Sequence, residues 1–280
     1  MNKKILIVGL GLIGGSYAEA LSDLGYEVGA IDIDESSIEY ALKNNLIQSG
    51  RTTVEEDYVS SFDVIIFCLY PHVLIDFIKQ YQYIFKPNTL LNDVTGVKVK
   101  LIEEVMKIKR EDVDFVFSHP MAGREKSGVY FHNKNIFKKA NFIITPVEGN
   151  KHSNLDFISE MAKEMGFKNI SFLTPEQHDE MIGFLSQLTH CIAISLMTSK
   201  DSEHLYEYTG DSFKDLTRIA KINENMWSEL FLMNKEELLS QMDLFINQFV
   251  KLRTSIENDD VETMKEMMKL STKRRSYFDD

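Results

Sequence analysis

The chain has 280 residues, 44% of them hydrophobic, and a formal net charge of −12. That apolar content supports one large domain or two smaller ones and excludes a disordered chain. The acidic balance excludes a nucleic-acid-binding surface, and it obliges any anionic ligand to find a locally basic pocket.

The first predicted unit spans residues 4–34. Ile5, Leu6, Ile7 and Val8 form a short β-branched run of the kind a buried parallel strand requires. Gly9, Gly11 and Gly14 follow in the spacing G-x-G-x-x-G. Tyr17, Ala20, Leu21 and Leu24 then recur at helical spacing, and a second strand ends in Asp32. Strand, glycines, helix, strand and terminal acid in this order define a dinucleotide site. The first glycine permits the tight turn, the second the approach of a pyrophosphate to the backbone, and the third close helix–strand packing. The phosphates face the free N–H groups of the helix start. Gly9, Gly11, Leu12, Ile13, Gly14 and Asp32 are the expected cofactor-binding residues. Asp32 would accept from ribose hydroxyls and repel a 2′-phosphate, and Ile33, Asp34 and Glu35 offer no neutralising base. The cofactor is therefore expected to be NAD rather than NADP. The apolar start superficially resembles a secretory signal, but it runs into the fingerprint without a cleavage site.

Further along, residues 35–44 read as a helix with Ser36 or Ser37 near its start, and residues 64–69 as a buried strand. His72 follows that strand and reads as a surface or capping residue. Strands are expected within residues 85–94, 115–117, 140–146 and 170–173, with a helix over residues 153–165. This alternation predicts an α/β fold, an N-terminal Rossmann-type doubly wound, mostly parallel sheet. Beyond Thr174, a good N-cap, and Pro175, a good first helical residue, the pattern turns helical. Met181, Leu185, Leu188, Ile192 and Leu196 keep helical spacing. So do Leu230, Phe231, Met233, Leu238, Met242, Phe245, Phe249 and Leu252. The expected division is 1–173 for the NAD-binding domain and 174–280 for an all-helical substrate and dimerisation domain. The helices carry more apolar surface than roughly a hundred residues can hide alone, so a homodimer is expected. No apolar stretch is expected to span a membrane. Cys68 and Cys191, set in apolar sequence, read as buried free thiols of a reducing compartment, which places the protein in the cytoplasm.

Four groups of residues could carry chemistry. His119, at the end of a strand and followed by Pro120, reads either as a base beside a nicotinamide or as a buried histidine bonded to backbone. Residues 123–128, with Arg124 and Lys126 between glycines, either bind an anion or are simply solvated. His178, Ser186, Gln187 and His190 lie near one helix face, where they form a structural network or line a pocket. Arg218 suits a carboxylate, or else bridges to Asp215. No group has metal-ligand spacing, and no metal is expected.

Five stretches together resemble the prephenate dehydrogenase family of tyrosine biosynthesis: VGLGLIGGS, DVTGVK from Asp93, SHPMAGREKSG from Ser118, LTPEQHDEMIGFLSQLTH from Leu173 and GDSFKDLTRIAKINENMW from Gly210. The resemblance implies an NAD-dependent oxidative decarboxylation of prephenate to 4-hydroxyphenylpyruvate. It implies that His119 takes the ring hydroxyl proton, and that Arg218 and His190 bind substrate with Arg124, Gln187 and Ser186 around them. It also places His178 at the interdomain crevice. Gly96 stands where many members have a serine that assists the catalytic histidine, so Thr95 or a water is expected to substitute, with Thr95 also beside the cofactor. Competing readings are an arogenate dehydrogenase, another NAD-dependent hydroxy-acid dehydrogenase and a non-catalytic NAD-sensing module.

Overall fold

The computed structural model describes residues 3–123, 126–201 and 203–279. Its centre is an eight-stranded sheet: β1 (Lys4–Val8), β2 (Glu27–Ile31), β3 (Ser49–Arg51), β4 (Val64–Phe67), β5 (Leu90–Asp93), β6 (Asp114–Pro120), β7 (Asn141–Thr145) and β8 (Asn169–Phe172). The spatial order is β3-β2-β1-β4-β5-β6-β7-β8. The first six strands are parallel, with the order reversing between β1 and β4, as in a doubly wound dinucleotide fold. Ile5, Ile7, Ile66 and Val116 pack into one apolar layer, and Leu6, Ile65, Phe115 and Phe117 into the other. Each fully buried aliphatic side chain of this kind contributes about 1.5–3 kcal/mol. The period-2 alternation of strands thus fills two helix-covered faces at once.

β7 runs antiparallel to β6. The connection between them returns over the helices Leu12–Asp23 and Glu35–Lys43, where Val129–Phe131 packs and the Tyr130 hydroxyl donates to Ser36 Oγ at 3.1 Å. One consequence concerns His119. It does not follow the strand but lies within it, paired with Ile143, so the ladder holds its backbone. The strand β3, only Ser-Gly-Arg, has no apolar signature and was not expected. Helix Glu35–Lys43 is capped by Asp34, whose carboxylate accepts from the Ser36 and Ser37 amides, rather than by either serine. Cys68 and Cys191 are unpaired and only partly buried.

Thr174 opens the helical half as expected, with a full capping box: its hydroxyl accepts from Gln177 N, and Gln177 Oε1 accepts from Thr174 N. The helix Pro175–Ile182 passes through a π turn, Gly183–Gln187, into Leu188–Thr198. Because that turn does not interrupt it, Pro175–Thr198 forms one run of 24 residues, by length and composition apolar enough to cross a membrane. This corrects the expectation that no stretch would reach that length. His178 and Asp179 of the run are buried and bonded within the protein, which fits a helix packed against the sheet domain. The helices Asp211–Thr217, Glu224–Met233, Lys235–Glu257 and Val261–Arg275 complete the chain.

Candidate active site

The glycine turn follows the carboxyl end of β1 and packs beside the chain just after β4. Gly9 has φ +96°, a left-handed conformation that only glycine adopts without strain. A Cβ on Gly14 would come within 1.9 Å of the Gly9 carbonyl oxygen, so helix and strand touch directly there. A Cβ on Gly11 would meet no protein atom within 4 Å. Nothing in the protein fills the space beside it, which leaves the backbone there open to close approach by a ligand. The helix Leu12–Asp23 begins here with no side-chain cap and no acidic residue in its first turn. Its free amides are available to an anion. Leu12 is buried and Ile13 half-buried. Asp32 stands at the end of β2, where Oδ2 accepts from Leu10 N at 2.6 Å and Oδ1 from Asp34 N at 2.9 Å. Its orientation is thus fixed, and each oxygen keeps a lone pair for a sugar hydroxyl. These features fit a dinucleotide.

On the far side of β5 the structure joins residues that lie far apart in sequence. His119 Nδ1 is 2.9 Å from His178 Nε2, and His178 Nδ1 is 2.7 Å from Asp179 Oδ1. Asp179 Oδ1 also accepts from Lys98 N at 2.8 Å, and Oδ2 from Val99 N at 2.9 Å. The His119 imidazole is held well below its ordinary value, first by burial and then by His178 and Lys98. Burial also lowers His178, against the pull of Asp179. The other edge of the His119 ring faces Gly96: a Cβ there would lie 3.8 Å from Nε2 and 3.8 Å from Leu230 Cδ1. Gly96 and Leu230, one from each half of the chain, therefore bound the space before Nε2.

Beneath this lies a fully buried ion pair, Lys98 Nζ to Asp93 Oδ2 at 2.8 Å. Burial pulls the Lys98 ammonium below its ordinary value despite the carboxylate beside it. Nζ also donates to the carbonyl and the hydroxyl of Thr95, and that hydroxyl in turn donates to Asp93 Oδ2 at 2.5 Å. Ser118 N donates to Asp93 Oδ1. The expectation for Thr95 is corrected here. Its side chain is buried and committed to the ion pair, so it neither assists His119 in place of a serine nor presents its hydroxyl to a cofactor.

A second correction concerns Gln187. Its side chain is buried, Nε2 donates to Leu230 O at 3.0 Å and Oε1 accepts from Asn234 Nδ2 at 2.8 Å. It ties three helices together and does not line a pocket. His190 lies against Trp227, ring centroids 3.7 Å apart and planes tilted by 31°, and its Nδ1 bonds the Ser186 carbonyl at 2.8 Å. The turn Arg218–Ala220 packs against Leu188–Thr198, which brings Arg218 to the helix that carries His190. Arg124 lies outside the described residues; Lys126 Nζ sits 4.8 Å from the Phe131 ring centroid. His72 is exposed and forms a link across the crevice: its backbone N donates to Glu229 Oε1 at 2.7 Å, and its Nδ1 lies 2.6 Å from Oε2.

Asp179, Asp93 and Lys98 were missed as site residues. The available signals were a histidine–aspartate pair directly after a capped first turn, and an aspartate and lysine flanking the turn after β5.

A dinucleotide cradle, a histidine paired across a crevice and a helical half closing over it define an oxidoreductase of the two-domain Rossmann class. The chain matches "Prephenate dehydrogenase, nucleotide-binding domain" over residues 17–171 and "Prephenate dehydrogenase, dimerization domain" over residues 174–270. The chain belongs to the prephenate dehydrogenase family. Prephenate dehydrogenase of Bacillus subtilis is 30% identical over 271 residues, covering 94% of this chain and 73% of that protein. Cyclohexadienyl dehydrogenase of Zymomonas mobilis is 28% identical, covering 98% and 95%. The crystal structure of Aquifex aeolicus prephenate dehydrogenase, in complex with hydroxyphenyl propionate and NAD+, superposes with a TM-score of 0.91 at 29% identity, covering 99% of both chains.

Proposed function

We propose that this chain is a prephenate dehydrogenase, converting prephenate to 4-hydroxyphenylpyruvate and carbon dioxide with reduction of NAD. The observation that carries this reading is the His119 ring, held through Nδ1 by His178 and with Nε2 on the side of Gly96 and Leu230, one from each half of the chain. When bound, NAD supplies the hydride acceptor, and Gly9, Gly11, Gly14 and Asp32 are the residues suited to hold it.

His119 acts as the base. Nε2 takes the proton of the ring hydroxyl as the hydride leaves the same carbon. The bond to the ring carboxylate then breaks, its electron pair completes the aromatic ring, and carbon dioxide departs. The proton returns to the oxygen, which becomes the phenol. Because burial keeps the imidazole neutral, it is ready as a base without first losing a proton. Arg218 and His190 belong to the substrate side, where the arginine would meet a carboxylate of the dianion. The divided roles match the two domains we assign, 1–173 and 174–280. We further assign a homodimer built on the exposed apolar side of Lys235–Glu257, and a cytoplasmic location, consistent with two unpaired cysteines.

The test is NADH formation by the purified protein with prephenate or arogenate supplied separately. Turnover of prephenate is the expected result. Turnover of arogenate alone would keep the chemistry and change the substrate, and no turnover of either would overturn the reading.

A further inference from the structure

We propose that His178 and Asp179 are positioning residues that dictate which nitrogen of His119 carries a proton, and that two backbone amides set the whole chain. The inference rests on the reading of His119 as the base. The amides of Lys98 and Val99 can only donate, so both Asp179 oxygens act as acceptors. His178 Nδ1, 2.7 Å from one of those oxygens, must then carry the hydrogen. A neutral His178 therefore has its lone pair on Nε2. His119 Nδ1, 2.9 Å away, must in turn be the donor, which leaves the lone pair of His119 on Nε2. That is the nitrogen facing Gly96 and Leu230.

Gly96 gives this arrangement its weight. With no side chain there, and with the Thr95 hydroxyl committed to Asp93, the Nδ1 contact from the helical half is what orients the ring. The charged groups around the pair are Asp179, Lys98 and Asp93. Lys98 and Asp93 neutralise each other at 2.8 Å, so the carboxylate of Asp179 is the charge that polarises the two imidazoles. The base stands on one domain and its tautomer is imposed by the other. The active form of His119 thus exists only when the two halves are docked.

The first test needs no variant. Long-range proton–nitrogen correlation spectra of the full chain, labelled at its histidine nitrogens, should show His119 protonated at Nδ1 and bare at Nε2. The reverse tautomer in the native protein would overturn the proposal. His178→Leu removes the acceptor. Turnover should then fall about 10–100-fold, by analogy with the range found when the partner orienting a metal-bound imidazole is lost, with KM for prephenate nearly unchanged and a mixture of His119 tautomers. His178→Gln offers an oxygen to Nδ1 and an N–H to Asp179, and should recover most of the loss. A folded His178→Leu variant with native turnover and native tautomer would also overturn the proposal. His119→Asn separates the two levels. If it retains turnover, the reading of His119 as base fails. If it abolishes turnover while His178→Leu is silent, only the present inference fails.

Discussion

In the sheet half, Ile5, Leu6 and Ile7 are completely buried, whereas in the helical half the 23-residue helix Lys235–Glu257 buries only Leu238 and Ser255. The same helix exposes Leu239, Leu244, Ile246, Phe249, Val250 and Ile256, and its neighbour exposes Leu232. One half completes its own core by covering a sheet on both faces. The other leaves many apolar side chains of its helices exposed, more than its own packing covers. The lesson is that the two halves are stabilised by different things. The sheet domain is held by interior packing, and the helical one by what it docks against, in part the sheet domain and, in the assembly we propose, a second copy. The family description of residues 174–270 as a dimerization domain agrees with that division.

The sharpest test asks whether chemistry and binding divide as the cores do. His119→Ala should lower kcat about 10²–10⁴-fold with little change in KM. Arg218→Ala should instead raise KM by roughly ten- to a hundredfold, the worth of a hydrogen bond to a charged group. Equal small effects from both would erase the division. Association comes next. Phe249→Glu should convert the proposed dimer to monomer at micromolar concentration in sedimentation velocity, whereas Tyr83→Glu, an equally exposed apolar site on the sheet half, should leave the sedimentation coefficient alone. A smaller contrast lies inside the glycine turn. Gly14→Ala must move backbone and should cost about 1–3 kcal/mol of stability, read as a lower Tm. Gly11→Ala meets only open space, so Tm should hold while NAD binding weakens in calorimetry. The smallest effect is on pH dependence. Because His119 is neutral well below the ordinary imidazole range, the acid limb of kcat/KM should fall below about pH 6.5. The unfolded chain binds that proton more readily, so the same group makes stability decline as pH drops through about 6.5.

Much of the fold could be read from local pattern. The glycine spacing between β-branched runs marked β1 and its helix, and Thr174 with Pro175 marked the start of the helical half, because these signals reside in a few adjacent residues. What escaped was non-local. The amides of Lys98 and Val99 meet a carboxylate 80 or so positions away, and no spacing rule announces such a contact. Thr95 and Gln187 were assigned to the pocket because each sits in a motif that surrounds it. Their side chains in fact turn inward, where the Thr95 hydroxyl donates to Asp93 and the Gln187 amide oxygen accepts from Asn234. Burial with a complete set of hydrogen bonds is decided by the third dimension, and a polar residue on an apolar helix reads the same either way.

The π turn at Gly183–Gln187 carries one more consequence. It holds one residue more than an α turn, so everything after it is rotated by about 100° relative to a regular helix. Asp179 lies before it and His190 after it. Deleting a single residue there would let the helix run on without a break and leave Asp179 on its amides, yet it would swing His190 away from Trp227. The angular offset between the end of this helix that carries Asp179 and the end that carries His190 is therefore written in one inserted residue, which makes chain length, more than side-chain identity, the quantity to hold fixed when the segment is redesigned.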